Sequence, residues 1–109
     1  MKIAIASEGE KNDSKISLNG GRAPYYLIFE DNKLIEAVKN PFIKGSGGAG
    51  WSVAYMLAEK KVDLVIAGKL GPNMITALKE KGIEYKEEIE TTIDVAISEQ
   101  INSNIQNIN

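Results

Sequence analysis

The fold of this chain is decided by residues 62–82, which read VDLVIAGKLGPNMITALKEKG. Residues 62–68 are almost continuously apolar and rich in valine and isoleucine, which predicts a strand covered on both faces. The Gly-Pro-Asn run at 71–73 predicts a helix start, and Gly82 predicts its end directly after Lys81. Because a buried strand that leads into a helix crosses over to a parallel neighbour, this stretch predicts an α/β sheet with right-handed connections.

The sequence on either side supplies the other elements. Alternating or continuous apolar residues predict strands, and apolar residues at helical spacing predict helices. The predicted elements are a central strand at 2–7 (KIAIAS), a hairpin of 24–30 and 33–39, a helix at 51–61, a short edge strand at 83–86, a solvated linker at 86–90 and a last helix after Thr91 or Thr92. In that last helix, isoleucines at 93, 97, 101 and 105 form one apolar stripe, and residues 102–109 are predicted to fray.

This order of elements predicts where a ligand would bind. An antiparallel hairpin after the first strand makes strands one, three and four point the same way, so the loops that follow them share one edge of the sheet. In open α/β sheets, ligands bind at the carboxyl ends of the strands. The loops predicted at this edge contain residues 19–22, 47–50 and 68–73, and all of them include glycine.

The chemistry of these loops favours an anion. Two of them lead directly into helices, whose first N–H groups and positive dipole ends attract negative charge. Arg22 adds a permanently charged donor group. The predicted binding residues are Asn19, Gly21, Arg22, Gly47, Gly48, Gly50, Gly71 and Asn73. The alternative interpretation is that the glycines only allow tight turns and that Arg22 pairs with a surface acid.

Composition excludes several classes of function. The chain has 109 residues, a net charge of −2, and neither cysteine nor histidine. Such a length predicts one domain over residues 1–109, and the charge provides no basic surface for nucleic acid. We expect a cytoplasmic protein that does not bind a membrane, because it lacks a long apolar run or a secretory pattern. Without cysteine or histidine, the usual metal sites cannot form, and a general base that titrates near neutrality would have to be a strongly shifted carboxylate or lysine.

Two further activities do not fit the sequence. The glycines at 45, 47 and 50 match a dinucleotide-binding pattern, but Asn40-Pro41 separates them from the preceding strand and the expected downstream acid is missing. A nuclease would need clustered carboxylates for two metal ions, and Asp63 lies at the opposite end of its strand from the glycine loops. We therefore expect no enzyme activity.

Several motifs together resemble the dinitrogenase iron–molybdenum cofactor biosynthesis family. They are KIAIAS at 2–7, GRAPYY at 21–26, Asn40-Pro41-Phe42, GGAG at 47–50 and VDLVIAG at 62–68 through the Gly-Pro-Asn at 71–73. The resemblance covers roughly residues 1–86. It implies a three-layer α/β/α fold with a ribonuclease-H-like motif, in which a five-stranded mixed sheet has the order 3-2-1-4-5 and strand two is antiparallel.

The resemblance also implies a function. Family members bind or carry an iron–sulfur or iron–molybdenum cofactor precursor, so we expect a non-catalytic binding or carrier domain for such an anionic metallocluster. The family usually places a histidine where this chain has Asn19, so direct ligation is expected to be weak or missing. The alternative is a protein-interaction or regulatory module of the same fold. Expected partners are the cluster or a small anion and a cofactor-synthesis or client protein, with the chain a monomer or weak homodimer.

Overall fold

A computed structural model describes residues 1–44, 48–89 and 91–108, with the backbone alone described from residue 101. These residues form five strands and three helices. Their bounds are β1 Lys2–Ser7, β2 Tyr25–Glu30, β3 Lys33–Lys39, α1 Ala49–Glu59, β4 Leu64–Ala67, α2 Pro72–Glu80, β5 Glu84–Glu87 and α3 Ile93–Ile108. Most predicted bounds are met to within about two residues, the usual uncertainty of an element's end.

The strands form one mixed sheet of order β3-β2-β1-β4-β5. The central strand β1 pairs antiparallel with β2 and parallel with β4, and β4 pairs parallel with β5. Ala4, Ile5 and Ala6 of β1 are fully buried, which explains why this strand alternates small and branched apolar residues. The predicted sheet order and the antiparallel second strand are confirmed.

Apolar side chains form a core on each face of the sheet, so the fold has three layers. On one face, α1 and α2 cover β1, β2 and β4, with Val53, Leu57 and Leu78 buried in the larger core. On the other face, α3 packs Ile93 and Ile97 against isoleucines and leucines of the same strands. The predicted stripe on α3 is confirmed at these two positions, while the side chains of 101 and 105 lie outside the described residues.

The predicted edge strand at 83–86 is confirmed from Glu84 to Lys86, and β5 also includes Glu87, which was predicted to belong to the solvated linker at 86–90. Lys86 and Glu87 belong to β5, where they pair with Ile66 and Ala67 of β4. The pairing is made by backbone hydrogen bonds and the side chains of this edge strand are mostly exposed, so β5 tolerates charged residues that a buried central strand would exclude. Residue 90 lies outside the described residues, and the fraying of 102–109, where α3 continues to Ile108, stays a prediction.

The edge strand β3 is exposed along almost its whole length. Its pairing with β2 contains an irregularity between Ile28 and Phe29, where Ile35 is passed over and forms a bulge. Glu36 forms an ion pair with Lys60, which follows α1, with 2.9 Å between Lys60 Nζ and Glu36 Oε2. Across the described part of the chain, no helix is long and apolar enough to cross a membrane.

Candidate functional site

Three loops meet at the carboxyl edge of the sheet, as the topology predicts. They are the β1–β2 loop at 8–24, the described part of the β3–α1 loop at 40–44 and 48, and the β4–α2 loop at 68–71. The first and third are bonded directly, since the Gly68 N–H donates to the Ser17 carbonyl at 2.8 Å and the Gly20 N–H donates to the Lys69 carbonyl at 3.0 Å. The three loops are therefore parts of one surface.

Glycines allow these segments to approach at backbone distance. A Cβ atom placed on Gly21 would lie 3.2 Å from the Gly50 nitrogen, and one on Gly50 would lie 3.0 Å from Cβ of Met74. The β1–β2 loop therefore packs on the start of α1, which packs in turn on the start of α2. These glycines have a packing role whether or not the surface binds a ligand.

A buried amide fixes the first loop to the second. Asn40 is only 3% exposed, and its Nδ2 donates to the carbonyls of Gly21 at 3.1 Å and Ala23 at 2.9 Å. Its Oδ1 accepts the N–H of Phe42 at 2.9 Å. The side chain thus uses both donors and its acceptor to join two loops that are far apart in sequence.

The loops line a depression of about 200 Å³ that is open to solvent. This is smaller than the roughly 300–1,000 Å³ of a site that encloses a drug-sized ligand, so it suits a small anion or one face of a larger one. Its lining brings together six of the predicted binding residues, namely Asn19, Gly21, Arg22, Gly50, Gly71 and Asn73, and adds Ala49, Pro72 and Met74. Gly48 is the exposed N-cap of α1 beside it, and Gly47 lies outside the described residues.

The starts of α1 and α2 both open on this depression. Gly48, at φ 75°, and Gly71 are the N-caps, and the described residues supply no side-chain cap to either helix. The first hydrogen bond of each helix is donated by Ser52 to Gly48 and by Ile75 to Gly71, both at 3.0 Å. The N–H groups before these donors have no acceptor within their own helix, so they and the two dipoles favour an anion.

The two polar side chains of the β1–β2 loop also have structural partners. Arg22 Nη1 donates to the Ile43 carbonyl at 2.6 Å, and the Arg22 N–H donates to Oδ1 of Asn19 at 3.1 Å. Arg22 and Asn19 therefore shape the loop as well as lining the depression, and their role in binding stays a prediction.

Two tyrosines of β2 contact the same loop through their hydroxyl groups. The Tyr26 hydroxyl donates to the Gly20 carbonyl, and complete burial raises the pKa of Tyr26 far above its ordinary value. Tyr26 is therefore a neutral donor at every physiological pH. The neighbouring Tyr25 is a surface group whose pKa is raised because its hydroxyl is hydrogen-bonded to Glu10, with the negative charge of Glu10 as the second cause.

A larger depression of about 440 Å³ adjoins the first across Asn19 and Arg22. Its lining includes the apolar side chains of Ile16 and Leu18 and the carboxylate of Glu8. The same lining also contains Lys15, which offsets the charge of Glu8, so charge does not distinguish the two depressions. The smaller depression is the better anion site because the starts of α1 and α2 both open on it. No group of three or more His, Cys, Asp or Glu side chains is arranged to hold a metal ion within the described residues.

Sequence reasoning missed the residues that support the site from behind. Asn40 was interpreted only as the end of a strand, and Glu87 only as part of a linker. Met74 is 1% exposed and also lines the depression. The Asn-Pro pair was the one available signal, because an asparagine at a strand end beside glycine loops often hydrogen-bonds to backbone.

The close packing of these loops gives a first prediction. A Cβ at Gly68 would lie 2.7 Å from Cα of Leu18 and 2.9 Å from the Ser17 carbonyl, so backbone must move to admit it. We expect Gly68→Ala to lower the free energy of unfolding by about 1–3 kcal/mol, measured by urea denaturation. Gly71→Ala is the control, because Gly71 has open space around its Cβ position and a negative φ of −71°. Equal stability of Gly68→Ala and wild type would contradict the packing role.

Comparisons with known proteins agree with this architecture. The family model described as dinitrogenase iron-molybdenum cofactor matches residues 1–103. The chain is 28% identical over 101 residues to an uncharacterized protein of Methanocaldococcus jannaschii, with 89% of this chain and 82% of that protein covered.

Two solved structures share the fold along most of their length. The apo form of the orange protein from Desulfovibrio gigas has a TM-score of 0.87 and 27% identity, covering 94% of this chain and 88% of the other. A candidate NifB protein from Thermotoga, of the DUF35 family, has a TM-score of 0.80 and 28% identity, covering 93% and 87%. Since the family model spans nearly the whole sequence, the chain belongs to the dinitrogenase iron–molybdenum cofactor family.

Proposed function

We propose that this chain is a non-catalytic carrier that binds an anionic iron–sulfur or iron–molybdenum cofactor precursor in the depression at the carboxyl edge. The observation that carries the proposal is that two helix starts and Arg22 surround one opening. Helix N–H groups and a guanidinium are hydrogen-bond donors, so they match a negatively charged acceptor. Family membership supports the class of cargo.

The cargo in this proposal keeps ligands of its own. The chain has no histidine and no cysteine, and an amide oxygen such as that of Asn19 is a weak ligand for iron. Direct ligation by this protein therefore does not fit its residues. Recognition instead uses hydrogen bonds and charge on the outside of the anion, so transfer to a client breaks no metal–protein bond.

The same residues argue for binding rather than catalysis. Among the described residues that line the depression, Arg22 is the one with an ionisable side chain, and arginine stays protonated in proteins. Proton transfer needs a group that titrates near the working pH. We propose that the protein holds its cargo without changing it.

A second candidate function rests on two exposed apolar side chains. Leu18 is 67% exposed and Ile89 is 61% exposed, and both follow strands that end at the carboxyl edge. Large apolar side chains exposed next to a polar surface often contact another protein. In this alternative the domain is an interaction or regulatory module that does not bind the cluster.

An anaerobic titration distinguishes the two candidates. The probe is a synthetic four-iron, four-sulfur cluster dianion with small thiolate ligands, added to the protein and followed by calorimetry and by its absorption spectrum. Binding with an unchanged cluster spectrum supports the carrier, because the thiolates then stay in place. No measurable binding supports the interaction module.

The contribution of Arg22 gives a second prediction. A charge-assisted hydrogen bond contributes about 1.5–3 kcal/mol, so Arg22→Ala should weaken binding of this probe at least about tenfold. Arg22→Lys keeps the positive charge, so its affinity for the probe should fall less than that of Arg22→Ala. Lys33→Ala is the matched control, since it makes the same charge change at the far end of β3. Thermal melts separate binding from stability, because Arg22 also donates to Ile43. Equal affinity of Arg22→Ala and Lys33→Ala would refute the role.

A further inference from the structure

The last residue of β5 reaches across to the loop that starts α2. Oε2 of Glu87 accepts the backbone N–H of Leu70 at 2.8 Å. In the same place the Glu88 N–H donates to the Ala67 carbonyl at 2.9 Å, so β5 holds the end of β4 by its backbone and the next loop by a side chain. The carboxylate supplies the acceptor that the β-ladder does not provide at Leu70.

The β1–β2 loop holds the other side of the same segment. Gly68 donates to Ser17 and Gly20 donates to Lys69, as described above. Leu70 itself is 4% exposed, and its Cδ2 atom would lie 2.7 Å from a Cβ at Gly20. The backbone of 68–70 is therefore fixed from both sides immediately before Gly71, the N-cap of α2 and a lining residue of the depression.

Glu87 brings two opposing effects to an anion site. Its hydrogen bond fixes the loop that leads into α2, whose first residues line the depression, whereas its negative charge repels the anion. The side chain is exposed, so solvent and salt screen the charge strongly, while the hydrogen bond acts locally and is not screened in this way. The positional effect should therefore outweigh the repulsion.

We propose that Glu87 is a positioning residue of the anion site, which acts through the hydrogen bond of its side-chain oxygen to the Leu70 N–H and not through its charge. This inference rests on the proposed function for its affinity readout. It predicts that an amide side chain, which keeps the oxygen acceptor and removes the charge, preserves the site.

Three variants separate acceptor from charge. Glu87→Ala removes both, Glu87→Gln removes only the charge, and Glu84→Ala removes a charge from the other end of the same exposed strand. With the synthetic cluster dianion as probe, we expect Glu87→Ala to bind about five- to tenfold more weakly than wild type. Glu87→Gln and Glu84→Ala should bind as tightly as wild type or slightly more tightly.

Amide hydrogen exchange supplies a readout that does not depend on the cargo. The Leu70 amide should exchange at least several-fold faster in Glu87→Ala than in wild type, and at the wild-type rate in Glu87→Gln and Glu84→Ala. Unchanged Leu70 exchange in Glu87→Ala would overturn the inference, and so would Glu87→Gln binding as weakly as Glu87→Ala. If wild type does not bind the probe, the proposed function fails, and the Leu70 exchange rates still decide whether Glu87 positions the loop.

Discussion

Replacement of Asn40 by aspartate is expected to lower the free energy of unfolding by about 3–5 kcal/mol at pH 7. The Asn40 amide donates to two backbone carbonyls in a site that is 3% exposed. A carboxylate cannot donate, so it would place a buried negative charge against the oxygens of Gly21 and Ala23. Since total stabilities are about 5–15 kcal/mol, this is a large fraction of the whole.

The pH dependence of this variant has a definite sign. Burial against carbonyl oxygens raises the folded-state pKa of the new carboxyl above its unfolded value, so the folded state takes up a proton more readily. The deficit relative to wild type should therefore shrink as the pH falls through that raised pKa. Urea denaturation at pH 7 and pH 5 measures it. Asn12→Asp makes the same chemical change at an exposed position and should shift stability by less than about 0.5 kcal/mol.

Asn40→Ala provides a milder version of the same test. It removes the three hydrogen bonds without adding a charge, and we expect a loss of about 1–3 kcal/mol with little pH dependence. If the free energy of unfolding of Asn40→Asp at pH 7 equals that of Asn40→Ala, the site accommodates the new carboxyl without an added cost. That result would contradict the two-donor arrangement described for Asn40.

Replacement of Gly71 by aspartate is expected to weaken binding of the synthetic cluster dianion roughly a hundredfold. The new carboxylate would accept the first N–H groups of α2 and would repel the cargo from a lining position. A neighbouring like charge costs about 1–3 kcal/mol at the edge of a protein, and the lost helix start about 0.3–1 kcal/mol. The fold should not suffer, because Gly71 has an extended conformation, with φ −71° and ψ 161°, and open space at its Cβ position.

Gly71→Asp should thus lower the affinity for the probe while it keeps or slightly raises the stability of the fold. Aspartate is a somewhat better N-cap than glycine, so thermal melts should show Gly71→Asp to be equal to or slightly more stable than wild type. Gly71→Asn is the neutral control, since it caps the same N–H groups without a charge and should lose only a few-fold in affinity. Tight binding by Gly71→Asp would place the cargo away from the start of α2. The larger depression beside Leu18 would then be the site to examine.

Local patterns were sufficient to predict most of the strands and helices. The KIAIAS strand predicted a buried centre and the Gly-Pro-Asn run at 71–73 predicted a helix start, because both depend on neighbours in the sequence. The order of the whole sheet came from the family resemblance together with these patterns. The error at Glu87 has a clear cause, since an edge strand of charged residues has no hydrophobic period that marks where it ends.

The candidate site could be predicted only in outline. The topology brought Arg22, Gly50 and Gly71 to one edge, and the structure places all three around the same depression. The supporting contacts of Asn40 and Glu87 span 17 to 19 residues and join particular atoms. No local pattern encodes such pairs, because a single hydrogen bond across loops depends on the folded backbone rather than on composition.

The bulged edge strand β3 bears on how copies of this chain meet. If the β3 strands of two copies paired antiparallel with Glu36 at the centre, each of the seven residues would lie opposite a residue of the other copy. Lys33 would then lie opposite Lys39 at each end, and the two Glu36 side chains would face one another. Every charged pair in that register would be repulsive, and the bulge at Ile35 would interrupt the ladder. Like charges thus oppose aggregation through this edge, so the outer side of β3 can stay exposed to water.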